Sequence, residues 1–166
     1  HRRNSMITAL LLLASTKCLQ PIPVDKAEMT SDYGHRLGVH DHVHFHKGVD
    51  LQAKEGTPIR AIARGRIEYA GLGPLGGNTV VIRVSSNSRK QLLILHGHLK
   101  DILVQEGKLV FPCDIIGTVG DTGQSTAPHL HLAVYVHDRD KGTKKHVDPY
   151  SKLNLCKYKI LMNKHF

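Results

Sequence analysis

The chain has 166 residues, enough for one domain of ordinary size with short extensions and too few for a second full core. Hydrophobic residues make up 40% and aromatics 5%, with no Trp, so the interior must be aliphatic. A net charge of +9 suits either an anionic partner or simply a basic surface, but no aromatic-interleaved basic motif or zinc-finger spacing points to nucleic acid.

The first element is a basic flank, Arg2 and Arg3, followed by an apolar run from Met6 to Ser15 that closes on small residues. This pattern predicts a secretory signal peptide over residues 1–20; the run is too short to span a bilayer comfortably. The alternatives are a buried N-terminal helix and a lipidated Cys18, although Lys17 sits where lipidation would want a small residue. The mature form is expected to have no membrane span. Residues 21–28, with Pro21 and Pro23, read as an extended linker.

From residue 29 to 150 the chain becomes a succession of short β-like runs punctuated by glycine. The predicted strands are Ile59–Ala63, Arg66–Ala70, Asn78–Val84, Gln91–Leu95, Ile115–Val119 and Leu130–Val136. Turn-like stretches at 71–77, 85–89 and 120–128 separate them. Beyond the first segment no helical periodicity runs longer than a few turns, so an all-β domain is expected, with loops carrying the chemistry. Residues 151–166 read as a basic C-terminal tail.

Thirteen histidines are clustered rather than spread. In His129-Leu-His-Leu-Ala-Val-Tyr-Val136, strand alternation sends Leu130, Leu132, Val134 and Val136 to the core. His129 and His131 then share the opposite face, about 7 Å apart along the backbone. One can hold a metal while the other sits beside the attacking water. His96-Gly-His98 repeats the spacing, and the same period predicts both rings on one face, with Gly97 leaving the position between them open.

His46-Lys-Gly-Val-Asp50 sets an imidazole and a carboxylate four residues apart, with Gly48 allowing a turn between them, and zinc accepts both donor types. His40, His42, His44 and His46 alternate and could instead form a surface stripe that gathers metal nonspecifically. Only His46 has a carboxylate at this spacing. His46, Asp50 and one strand histidine fill three positions, which leaves a fourth for water as a catalytic zinc site requires. The three cysteines, Cys18, Cys113 and Cys156, contain no CxxC pair, which excludes a cysteine-rich zinc site. Cys113 and Cys156 either pair in an oxidising compartment or stay as buried thiols.

With these residues assembled, the chain resembles the lysostaphin/LytM-type zinc metallopeptidases. The matching stretches are Ser31-Asp-Tyr-Gly-His-Arg36, His46-Lys-Gly-Val-Asp50, Gly56-Thr-Pro-Ile-Arg-Ala61, Gly77-Asn78, His98-Leu99, Val104-Gln-Glu-Gly107 and Gly120 to His131, closing at Asp148-Pro149. The resemblance implies that His46, Asp50 and His131 bind Zn2+. It implies that His129 acts as general base on the attacking water, and that His98 stabilises charge developing on the substrate oxygen. An antiparallel, sandwich- or barrel-like β core with a narrow groove between loops is also implied, as is hydrolysis of peptide bonds in peptidoglycan stem or cross-bridge peptides by a secreted monomer of the periplasm or cell envelope. An anionic envelope polymer is an additional expected partner. Leu132 and Ala133 follow HLH where the family commonly has an aromatic and a glutamate. His96 replaces the usual Tyr or Thr and could compete as a ligand. The competing readings are a non-catalytic LytM-type module that activates a cell-wall hydrolase, and a His-rich metal-sequestering protein.

Overall fold

A computed structural model describes residues 23–37, 43–85 and 89–153. The expected signal segment, His40, His42, Cys18, Cys156 and the C-terminal tail beyond residue 153 lie outside these residues. Within them, twelve strands and one short helix follow in chain order. The strands are β1 (Glu28–Ser31), β2 (Gly34–Leu37), β3 (Val43–His46), β4 (Gly48–Gln52), β5 (Pro58–Arg60) and β6 (Gly65–Gly73). They continue as β7 (Gly77–Ser85), β8 (Lys90–Ile102), β9 (Leu109–Val110), β10 (Ile115–Val119), β11 (His129–Asp138) and β12 (Thr143–Val147), and the helix is α1 (Pro149–Leu153). Among the described residues no helix is long and apolar enough to cross a membrane.

Ten strands form one antiparallel sheet in the order β1-β4-β11-β8-β7-β6-β9. β12 extends the edge of β11 beyond β4, and β10 joins the end of β8 to β5. The β2–β3 hairpin stands apart. The all-β antiparallel architecture expected from the sequence is thus the observed one. Strand β10 matches its predicted bounds, whereas β8 runs 13 residues and carries the His96-Gly-His98 motif inside it.

The core is aliphatic, as the absence of Trp requires. Val49 and Leu51 of β4, Ile82 of β7, Ile94 of β8, and Leu130 and Leu132 of β11 are buried together. Each such side chain contributes roughly 1.5–3 kcal/mol on leaving water, which is what holds the central strands in register. The stretch read as an extended linker is not wholly free: Val24 is fully buried, bridges Ile59 and joins the core with Ala27. Gly48 is not a turn residue. It begins β4, whose residues alternate so that Val49 and Leu51 enter the core while Asp50 faces the other side.

The shared-face expectation for His96 and His98 fails. His96 lies opposite core residues Leu132 and Val80 and is completely buried. Between Asn78 and Val80 on β7, strand β8 advances three residues, from Leu99 to His96, so a bulge interrupts the alternation. His98 has φ +64° at this bulge, which turns its ring out of the core and toward His129, centroid to centroid 4.7 Å. His96 is not among the residues whose donor atoms converge at the metal centre.

Candidate metal centre

Strand pairing assembles the site. In register, Asp50 of β4 lies opposite His131 of β11, and His131 lies opposite Gly97 of β8. His46 ends β3 one residue before β4 begins, which brings its ring over the same spot. His46 Nε2 and His131 Nδ1 are each close to Asp50 Oδ1, at 3.2 and 2.8 Å, and the two nitrogens are 3.2 Å apart. Ligands at zinc-like distances in a tetrahedron are separated by about 3.3 Å, so this triangle has nearly the dimensions of one tetrahedral face. Two imidazole nitrogens and one carboxylate oxygen are also the right chemistry for a divalent transition ion.

The surrounding groups orient these donors. His46 Nδ1 is 2.8 Å from the Asp32 carbonyl, with Ser31 Oγ at 3.2 Å. A carbonyl only accepts, so Nδ1 carries the proton and Nε2 presents a bare lone pair. Arg36 Nη1 lies 3.5 Å from Asp50 Oδ2, leaving Oδ1 directed at the histidines, and the same nitrogen donates to Ser31 Oγ. Arg36 Nε donates to His44 Nε2 at 2.6 Å, so His44 of the alternating stripe serves Arg36 rather than the centre. Burial would raise the Asp50 pKa, but hydrogen bonds and attraction from His131 and His46 outweigh it and hold the carboxyl far below the ordinary range.

Gly48 makes the close approach of His131 possible. A Cβ there would stand 2.6 Å from the Leu132 carbonyl oxygen and 2.7 Å from His131 Cε1.

Two further imidazoles flank the triangle. His129 Nδ1 donates to the Ala127 carbonyl at 2.8 Å, which leaves Nε2 unprotonated, 3.7 Å from Asp50 Oδ1. His98 Nδ1 donates to the Thr122 carbonyl at 2.7 Å, and the ring centroid lies 5.9 Å from that of His131. Burial, helped by His129 and His131, pushes the His98 pKa down against the hydrogen bond to Thr122. The rim holding them is tied by backbone: His98 N donates to Gly76 O at 2.6 Å and Gln124 N to Leu75 O at 3.0 Å. Gly77, φ +59°, and Gly123, φ +76°, touch where these loops meet.

All five residues singled out in the sequence therefore meet in one place. The reading did not assign roles to Arg36, Ser31 or Thr122, although the first two lie in the Ser31–Arg36 motif. The orienting carbonyls of Asp32, Ala127 and Thr122 carry no side-chain signature and could not have been found.

An antiparallel β domain carrying a His/Asp/His cluster whose donor atoms converge has the architecture and the donor set of the metallopeptidase class. The chain belongs to peptidase family M23, whose model matches residues 44–149. It is 38% identical over 118 residues to the DD-carboxypeptidase/endopeptidase Mpg of Neisseria meningitidis serogroup B, covering 69% of this chain and 26% of that one. It is 34% identical over 126 residues to the peptidoglycan DD-endopeptidase ShyC of Vibrio cholerae, covering 75% and 28%. The chain thus spans about a quarter of the length of these curated relatives. Among solved structures it resembles the catalytic domain of the antimicrobial peptidase lysostaphin from Staphylococcus simulans, with TM-score 0.63 and 32% identity, covering 77% of this chain and 92% of that domain.

Proposed function

We propose that the chain is a zinc-dependent endopeptidase that hydrolyses peptide bonds in peptidoglycan. The observation that carries this reading is the convergence of His46 Nε2, Asp50 Oδ1 and His131 Nδ1, from β3, β4 and β11, into a triangle of tetrahedral dimensions. These three residues would hold the ion. Zinc bound there supplies a Lewis acid that polarises the scissile carbonyl and acidifies the attacking water. His129 Nε2, kept bare by the Ala127 carbonyl, is placed to take the proton of the attacking water and return one to the leaving amine. His98, its Nδ1 anchored on the Thr122 carbonyl, would donate from Nε2 to the substrate oxygen as the imidazolium, a form that the negative charge developing there favours against the lowering by burial.

Peptidoglycan as substrate is supported by family membership and by the likeness to ShyC, a peptidoglycan DD-endopeptidase. An extracytoplasmic location suits the disulfide that Cys113 forms. A non-catalytic module would not need three ligands and two anchored imidazoles. A metal scavenger is disfavoured because, of the described stripe histidines, only His46 meets Asp50. Zymography on purified sacculi tests the proposal. Clearing that stops with a chelator and returns with zinc supports it, and tight zinc binding with no clearing on any wall type refutes it.

A further inference from the structure

On the same face of the sheet as the metal centre, four residues or about 13 Å further along the strand direction and one to two strands beyond β8, lies a second concentration of charge. A cavity of about 540 Å3 opens there between β6, β7 and β9, lined by Arg64, Gly65, Arg66, Arg83 and Leu109. Arg66 and Arg83 are direct cross-strand partners, a placement in which like charges repel. Glu68 offsets one of them, its Oε2 standing 3.0 Å from Arg83 Nε. Arg66 Nη1 donates to the Gly107 carbonyl at 2.6 Å, and Arg64 lies over the Phe111 ring at 5.8 Å. Among the described residues, neither Arg64 nor Arg66 forms an ion pair. Three guanidinium groups against one carboxylate leave two positive charges (3 − 1) around a cavity that no residue fills.

We propose that this cleft is an oxyanion-binding site, and that its ligand is a phosphoryl group carried on an anionic polymer. Each guanidinium keeps several N–H donors after the contacts above, arranged in planar forks that match phosphate geometry. Guanidinium groups lining one cavity from different strands can share the non-bridging oxygens of successive phosphoryl groups, which spread tetrahedrally, whereas the two oxygens of a carboxylate lie in one plane. The net charge of +9 favours a chain of such groups over a single ion, because further phosphates along the polymer meet further positive surface. The site is independent of peptide hydrolysis: its residues touch none of the groups at the metal centre. It would hold the chain on its polymer while the centre works elsewhere.

The test is binding of long-chain polyphosphate at fixed ionic strength to the wild-type chain, to Arg64→Gln/Arg66→Gln, and to Lys144→Gln/Lys145→Gln. The lysine pair removes the same charge from the exposed start of β12, which pairs with β11. The arginine pair should weaken binding by about tenfold or more, the loss of one or two charge-assisted contacts, and the lysine pair by far less. Equal weakening by both pairs would overturn the proposal in favour of general basicity. So would equally tight binding of poly-γ-glutamate, binding of phosphatidylglycerol vesicles without polyphosphate, or inorganic phosphate bound as tightly as the polymer. If circular dichroism shows the arginine variant unfolded, the wild-type amide shifts decide. Shifts on polyphosphate addition concentrated at Gly65, Arg66 and Arg83 support the site, and shifts absent there refute it.

Discussion

Replacing Gly48 by Ala adds a single methyl group and isolates the packing that seats His131. Gly48 does not have a left-handed backbone, so alanine suits its conformation, and the effect is one of space alone. The new carbon would lie 2.6 Å from the Leu132 carbonyl oxygen and 2.7 and 2.9 Å from two atoms of the His131 ring. Ordinary contact begins at 3.4 Å, so about 0.8 Å (3.4 − 2.6) must be found at the carbonyl and about 0.7 Å at the ring. The carbonyl belongs to a strand paired on both sides and yields little, so the imidazole is displaced instead. Overpacking of this kind costs about 1–3 kcal/mol, and a misplaced ligand lowers metal affinity roughly 10–100-fold. Chelator competition should show that loss of zinc affinity, and urea unfolding of the metal-free protein should show a midpoint lowered by about 1 M. Gly97→Ala is the control: its Cβ would meet nothing closer than 3.6 Å, so affinity should change by less than about threefold. Wild-type zinc affinity in Gly48→Ala would refute the packing argument.

Other residues give separable outcomes. His129→Ala should keep zinc affinity while kcat falls by about 10²–10⁴-fold, the usual contribution of a positioned base; undiminished turnover of muropeptides would remove His129 from that role. Arg36→Met should weaken zinc binding by about tenfold, since Asp50 Oδ2 loses its partner, with Arg36→Lys recovering part of it in the same competition assay. Burial pushes His96 down from 6.5 to about 4, against weak hydrogen bonds from its ring to Val80 and Ile94. The unfolded chain therefore binds the extra proton between these values, so stability falls as pH drops from 6.5 toward 4, by roughly 3 kcal/mol at the acid end. His96→Leu should flatten that part of the pH–stability curve, and an unchanged slope in denaturant titrations would show that another group is responsible.

The fold was legible where strands are aliphatic and alternate cleanly, as in Ile115–Val119 and Leu130–Val136, because burial alone fixes such segments. It was hidden where strands are short and polar or open with glycine. β2 and β3 carry three histidines and an arginine and a single β-branched residue, Val43, and β4 begins at a glycine that looks like a turn until the His131 ring is seen above it. Local periodicity also misplaced His96, because the one-residue bulge at His98 is set by the pairing of β8 with the preceding strand β7, which the alternation within β8 does not show. The candidate site was readable as residue types, since donor chemistry is written in side chains. Its orientation was not, because the anchors of His46, His98 and His129 are backbone carbonyls.

The central claim is that three protein donors hold one ion and leave a place for solvent. Zinc K-edge absorption spectroscopy on the loaded protein tests it most directly. The account predicts one zinc per chain with two imidazole nitrogens and a carboxylate oxygen at about 2.0–2.2 Å, no sulfur, and a solvent oxygen completing the shell. A shell of four protein ligands, or one unchanged when His46, Asp50 or His131 is replaced, would contradict it.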